Sequence, residues 1–254
     1  YADDLLPTMA PGLLAAAREP SGARALIYLL ILNDEAELRQ RQLSFLQESA
    51  DRSVLAELEQ LLQAKDEVQA QQRLPLVEIA IASLRQLSHP QYQLFRKNFI
   101  ELIQIDKKIN LFEWSLQKIV LHHLDAVFDK NPQRRLGKRD IKRCVDSCAV
   151  ILSILAHSNR HENMDVAAAF AKGANRLPPE IELRPVTEIQ FETLNNALDE
   201  LVQLKPLQKP MLLKACAGII AADGKVQVIE AELLRAIADT IDCPMPPLLQ
   251  CDQG

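Results

Sequence analysis

Apolar residues recur along most of this chain at three- and four-residue intervals, the spacing that lines one face of an α-helix. Alternating β-branched runs are nearly absent. The pattern predicts helices over residues 21–32, 35–48, 53–64, 75–87, 88–105 and 111–128. Ser21 and Asp34 serve as N-caps, and Pro75 sits in a first turn, where its missing N–H costs nothing. The 111–128 segment is apolar on more than one side, with Leu111, Trp114, Ile119, Leu121 and Leu124, so it is expected to be central. A loop over 129–137 leads to a helix over 138–156, with Ile141, Val145, Cys148, Leu152 and Leu155 on one face. Another helix covers 163–171, and Gly173 is its expected C-cap. Thr187 caps a helix to residue 204, and a last helix pair occupies 206–241. Pro7, Pro11 and Pro20 mark an N-terminal tail, and Pro244, Pro246 and Pro247 stop helix formation at the other end.

Two stretches share one apolar pattern without gaps, residues 87–124 and 204–241, at a constant offset of 117. Each has an apolar run ending in Asp, a short polar turn, and a Glu seven residues after the Asp. The pairs are Asp106 with Glu113 and Asp223 with Glu230. A repeated helix–turn–helix unit that buries its apolar face on a neighbour predicts an all-α, multi-helix bundle. The Pro-rich stretch 177–186 is the expected linker. It divides an N-terminal helical region, 1–176, holding the first repeat from a C-terminal one, 187–254, holding the second.

At 254 residues the chain is long enough for a large core. Leu, Ala, Gln, Glu and Arg, all strong helix formers, dominate. The net charge of -5 argues against a general nucleic-acid binder. Five cysteines without a disulfide-framework spacing suit a reducing compartment. The chain opens on Tyr1, which leads us to expect an excised piece of a longer protein. Its longest early apolar run, 25–32, is too short to span a bilayer.

The Asp–Glu pairs are the sharpest local motif. Each Glu can accept N–H groups at the start of the following helix, and Gly224 can turn the chain in the left-handed conformation. The same carboxylates, Asp106, Glu113, Asp223 and Glu230, could instead hold a hard cation. Two oxygens fall short of the usual set, however, and Lys225 opposes the charge. A stabilised turn is the stronger reading, and no metal or cofactor is assigned. His157 and His161 have zinc-helix spacing but lack the Glu of His-Glu-x-x-His, and Asn159 should end the helix between them. His122 and His123 are neighbours that point apart. Cys144 and Cys148 fall one turn apart on an apolar face and read as core thiols. No Gly-rich phosphate loop and no nucleophile–base pair is visible. Residues 130–143 differ from the rest. Lys130, Arg134, Arg135, Lys138, Arg139, Lys142 and Arg143 stand against the single acid Asp140. They form a solvated surface or a contact for anionic lipid or an acidic partner.

The stretch Ala221-Ala-Asp-Gly-Lys-Val, continuing through Glu230, Glu232 and Arg235, resembles TerB-like helical domains of tellurite resistance. Lys107 departs from that pattern in the first copy. Several segments also resemble the C-terminal region of a bacterial family, the HtpX-like membrane-embedded zinc metallopeptidases, proteases with chaperone function. These are Gly22-Ala-Arg-Ala-Leu-Ile-Tyr-Leu-Leu, Arg39-Gln-Arg-Gln-Leu, Arg73-Leu-Pro-Leu-Val-Glu, Leu111-Phe-Glu-Trp-Ser-Leu-Gln, and the run from Leu234 through Cys243 to Leu248. The family's His-Glu-x-x-His signature and its transmembrane helices are absent, so no catalytic or zinc-binding residue carries over. The resemblance implies a non-catalytic module at the cytoplasmic face of the bacterial inner membrane. It would serve a protease core in the same polypeptide by regulation or by recruiting protein substrates or adaptors. Zinc is implied only in that core. A free-standing helical adaptor or stress-response scaffold, with metal sensing as one form of it, is the alternative.

Overall fold

The computed structural model describes residues 6–105, 110–129, 137–158, 165–178 and 180–245. Its architecture is all-α. Twelve helices, with short 3-10 turns between them, account for the regular structure of the described residues. The chain forms two compact units, Tyr1–Glu113 with Val120–Asn131, and Trp114–Ile119 with Pro132–Gly254. The Pro-rich stretch 177–186 thus lies inside the second unit, and the division falls at other positions than the expected linker.

The first unit is built around α2 (Pro20–Ile31). Packed against it are α1 (Pro11–Ala17), α4 (Arg52–Leu61), α5 (Ala70–Leu84) and α6 (His89–Gln104), while α3 (Ala36–Ser49) packs on α6. Ala23, Ala25, Leu26, Ile27, Tyr28, Leu29 and Ile31 are all buried, so α2 has no solvent face along most of its length. Its small residues let neighbouring helices approach on every side. Arg24 is buried with them, and its guanidinium pairs with Asp51. Tyr28 and Phe95 pack with ring centroids 5.6 Å apart, and Phe95 and Phe99 continue the aromatic core.

α5 starts earlier than expected and runs through Pro75. The cause is a capping box that the apolar pattern does not reveal. The Gln69 backbone N–H donates to Gln72 Oε1 at 3.1 Å, which fixes the first turn ahead of the proline. α7 (Leu111–Phe128) contributes residues to both units and buries Trp114, Leu116, Ile119, Val120 and Leu124.

The second unit has its own hub, α8 (Val145–Ser158). Around it lie α9 (Val166–Ala174), α10 (Phe191–Leu201), α11 (Lys209–Ile220) and α12 (Val228–Thr240). One apolar face was expected here, but the helix is buried nearly all round, from Ser147 to Ala149 and from Ile151 to Ala156. Its few polar groups are satisfied inside the unit. Ser153 Oγ accepts from the Arg184 N–H at 2.8 Å, and His157 Nε2 lies 2.9 Å from the Arg184 carbonyl. The helix also starts at Val145 rather than 138, because residues 137–141 are held to another segment. Gly173, expected as a cap, lies within α9. The helix expected from Thr187 begins at Phe191, after a 3-10 turn over Val186–Glu188.

A basic recess and two buried helix caps

The Asp–Glu pairs resolve first. Asn110 precedes α7, and its side chain accepts from the Glu113 N–H at 2.9 Å, while Glu113 Oε2 accepts from the Asn110 N–H at 3.1 Å. At the same offset, Gln227 and Glu230 form the capping box of α12, with Glu230 Oε2 accepting from the Gln227 N–H at 2.7 Å. The two glutamates therefore do the same work, satisfying an orphan donor at a helix start. Between α11 and α12 the chain turns at Gly224, which takes the left-handed φ of 79°. Asp223 Oδ1 accepts from the Lys225 N–H at 2.9 Å and closes this turn. Asp106 lies outside the described residues.

Glu230 is fully buried, and its second oxygen finds no hydrogen-bond partner among the described residues. Burial pushes its carboxyl up to about 7, and the negative charge of Asp223 pushes the same way against the Gln227 hydrogen bond. Among the described residues, no group of three or more His, Cys, Asp or Glu is placed to hold a metal ion. Cys144 and Cys148 are buried free thiols, as are Cys216 and Cys243. Burial raises the Cys148 thiol to about 12, which leaves it protonated and unreactive at neutral pH. His122 and His123 meet edge to face with ring centroids 5.7 Å apart, and His161 lies outside the described residues.

The basic segment is organised by a backbone clip. The Arg139 N–H donates to the Gln203 carbonyl at 2.8 Å, and the Lys205 N–H donates to the Arg139 carbonyl at 3.0 Å. Together these form a short parallel bridge between Arg139 and Leu204. The Ile141 N–H adds a third contact, to Gln208 Oε1 at 2.9 Å. Gly137 makes the approach possible. A Cβ there would stand 2.2 Å from the Leu204 carbonyl oxygen and 2.5 Å from the Gln203 carbonyl.

The clip shapes a recess of about 1240 Å³ lined by Lys138, Arg139, Asp140, Lys142, Arg143, Gln203 and Lys205. Five cations thus face one carboxylate. Arg139 pairs with Glu200, and Lys205 pairs with Asp140 at 2.8 Å. The Lys205 ammonium and the Lys142 N–H hold the Asp140 carboxyl down to about 2. Lys138, Lys142 and Arg143 are exposed and form no ion pair among the described residues. The recess therefore keeps a positive excess on a chain of net charge -5. Chemically it can bind an anion, but it contains no nucleophile–base pair. Lys130, Arg134 and Arg135 lie outside the described residues.

The sequence singled out Lys138, Arg139, Lys142 and Arg143, and all four line the recess. It missed Gln203 and Lys205, which stand sixty or more positions away and belong to no charge run. Gly137, next to the basic run, was the one local sign of a close backbone approach. Comparison with protein-family models, with curated proteins and with solved structures gives no match.

Two predictions follow from this geometry. A Glu230→Gln variant keeps the capping acceptor and removes the buried ionisation. Because the folded-state pKa lies above the unfolded one, native stability falls as pH rises from about 4.5 to about 7. The variant should lack that decline, so its melting temperature relative to the native chain should rise between pH 5 and pH 8. Parallel melting curves for the two would contradict the assignment. Gly137→Ala should lower stability by about 1–3 kcal/mol, the usual cost of overpacking. Denaturant unfolding measures it, and an unchanged midpoint would mean that the clip is not formed.

Proposed function

We propose that this chain is a non-catalytic helical recruitment module whose working surface is the basic recess. The observation that carries this reading is the concentration of Lys138, Arg139, Lys142, Arg143 and Lys205 around one cavity of an otherwise acidic chain. Charge of one sign in a concave site focuses the field and draws oppositely charged partners. The segments that resemble the C-terminal region of HtpX-like zinc metallopeptidases extend the proposal. The module would serve a membrane-embedded protease core of the same polypeptide at the cytoplasmic face of a bacterial inner membrane. There it would recruit substrates or adaptors, and zinc would belong to the core alone. The TerB-like reading of the two helix pairs rests on the apolar and acidic spacing they share. No described helix is long and apolar enough to cross a membrane.

Two measurements test the proposal. Incubated with unfolded casein and zinc, the purified chain should leave the substrate intact, and chelator-sensitive cleavage would overturn the non-catalytic reading. Labelled polyphosphate, a probe for the charge alone, should bind in fluorescence anisotropy and be released by salt, as screening requires. Replacing Lys142 and Arg143 together by Gln should weaken this binding about thirtyfold, from about 1 kcal/mol for each charge near an anionic surface. Binding that ignores both salt and the double variant would place the recruiting surface elsewhere.

A further inference from the structure

The recess has an apolar neighbour. Leu207 is 89% exposed, more than any other large hydrophobic residue among those described. It sits at the centre of the 3-10 turn Pro206–Gln208, directly after Lys205 of the recess. The clip holds this turn from both sides. The Lys205 N–H is bonded to Arg139, the Gln208 N–H donates to the Lys205 carbonyl at 2.8 Å, and Gln208 Oε1 accepts from Ile141. Pro206 further fixes the backbone. The backbone on either side of Leu207 is therefore held by the clip that shapes the recess. Pro206, Pro210 and Met211 are exposed as well and give the tip an apolar flank.

An apolar tip held rigidly beside a cationic recess matches one kind of surface in particular. Phosphates at the headgroup level of a bilayer meet Lys and Arg, while a side chain a few ångström deeper meets the acyl boundary. A protein partner would instead call for a contiguous apolar core beneath a polar rim. Here the exposed apolar group is a small tip, Leu207 with Pro206, Pro210 and Met211, that follows Lys205 of the recess in the chain. Resting on the reading of the recess as an anion-binding surface, we infer that it and Leu207 form a docking tip for a bilayer rich in anionic phospholipid. Headgroup phosphates would sit among Lys138, Lys142 and Arg143, with Leu207 inserted below them. The acidic remainder of the chain disfavours other orientations and so selects this face.

Co-sedimentation with vesicles tests the inference, comparing phosphatidylcholine alone with phosphatidylcholine mixed with phosphatidylglycerol. The native chain should bind only the mixed vesicles. L207Q should weaken that binding about tenfold, the loss of one buried leucine side chain, and leave polyphosphate binding unchanged. K142Q/R143Q should weaken both. All three positions are exposed, so near-native melting of each variant shows that the fold is kept. Equal binding to both vesicle types, or an L207Q variant that binds the mixed vesicles as the native chain does, overturns the inference. Polyphosphate binding without vesicle binding overturns it too, but leaves the recess as a site for an acidic protein. Loss of both would remove the recess itself as a recruiting surface.

Discussion

Burial of a hub helix on all sides is the constraint that orders each compact unit. α2 in the first and α8 in the second are too apolar to leave a face in water, and each must be covered by several partners. Burying side chains such as Leu26, Ile27, Ile151 and Leu152 is worth about 1.5–3 kcal/mol apiece, against the entropy of fixing the chain that carries them. Where polar groups enter the hubs they come with partners. Arg24 has Asp51, and Ser153 has the Arg184 backbone.

That constraint also explains where the charge goes. A helix wrapped on every side by α9 to α12 offers no surface on which lysines and arginines could sit. The described basic residues ahead of α8, Lys138 to Arg143, therefore stay outside it, in extended and 3-10 backbone. Such backbone must find hydrogen-bond partners, and it finds them at Gln203, Lys205 and Gln208. The recess is thus a consequence of how the chain enters a helix that is buried nearly all round. The Arg139 and Lys205 charges are moderated by Glu200 and Asp140, which leaves Lys138, Lys142 and Arg143 without an ion pair among the described residues.

Much of this was legible in the sequence. The period of apolar residues gave the helical class and the approximate place of most helices, because burial and helix geometry impose that period directly. The acidic spacing gave the caps at Glu113 and Glu230, since a capping box is a local interaction within four residues. Long-range pairing left weaker marks. Nothing near Lys205 announces Arg139 as a partner, and the helix predicted from residue 138 ignored the bridge to Leu204 that delays it to Val145. The same blindness placed the division between units at a Pro-rich stretch, whereas compactness depends on which side chains meet. Gln69 and Gln72 were missed because glutamine is an uncommon N-cap and its reach shows only in three dimensions.

Residues far apart in sequence form the basic recess, and the proposal makes it one anion-binding surface. Backbone amide shifts in an NMR titration with anionic phospholipid bicelles test it most directly. Shifts should concentrate at once in two segments, residues 137–143 and 203–208, with Leu207 among the most affected. Shifts confined to one of these segments, or centred on the turn between α11 and α12, would contradict it.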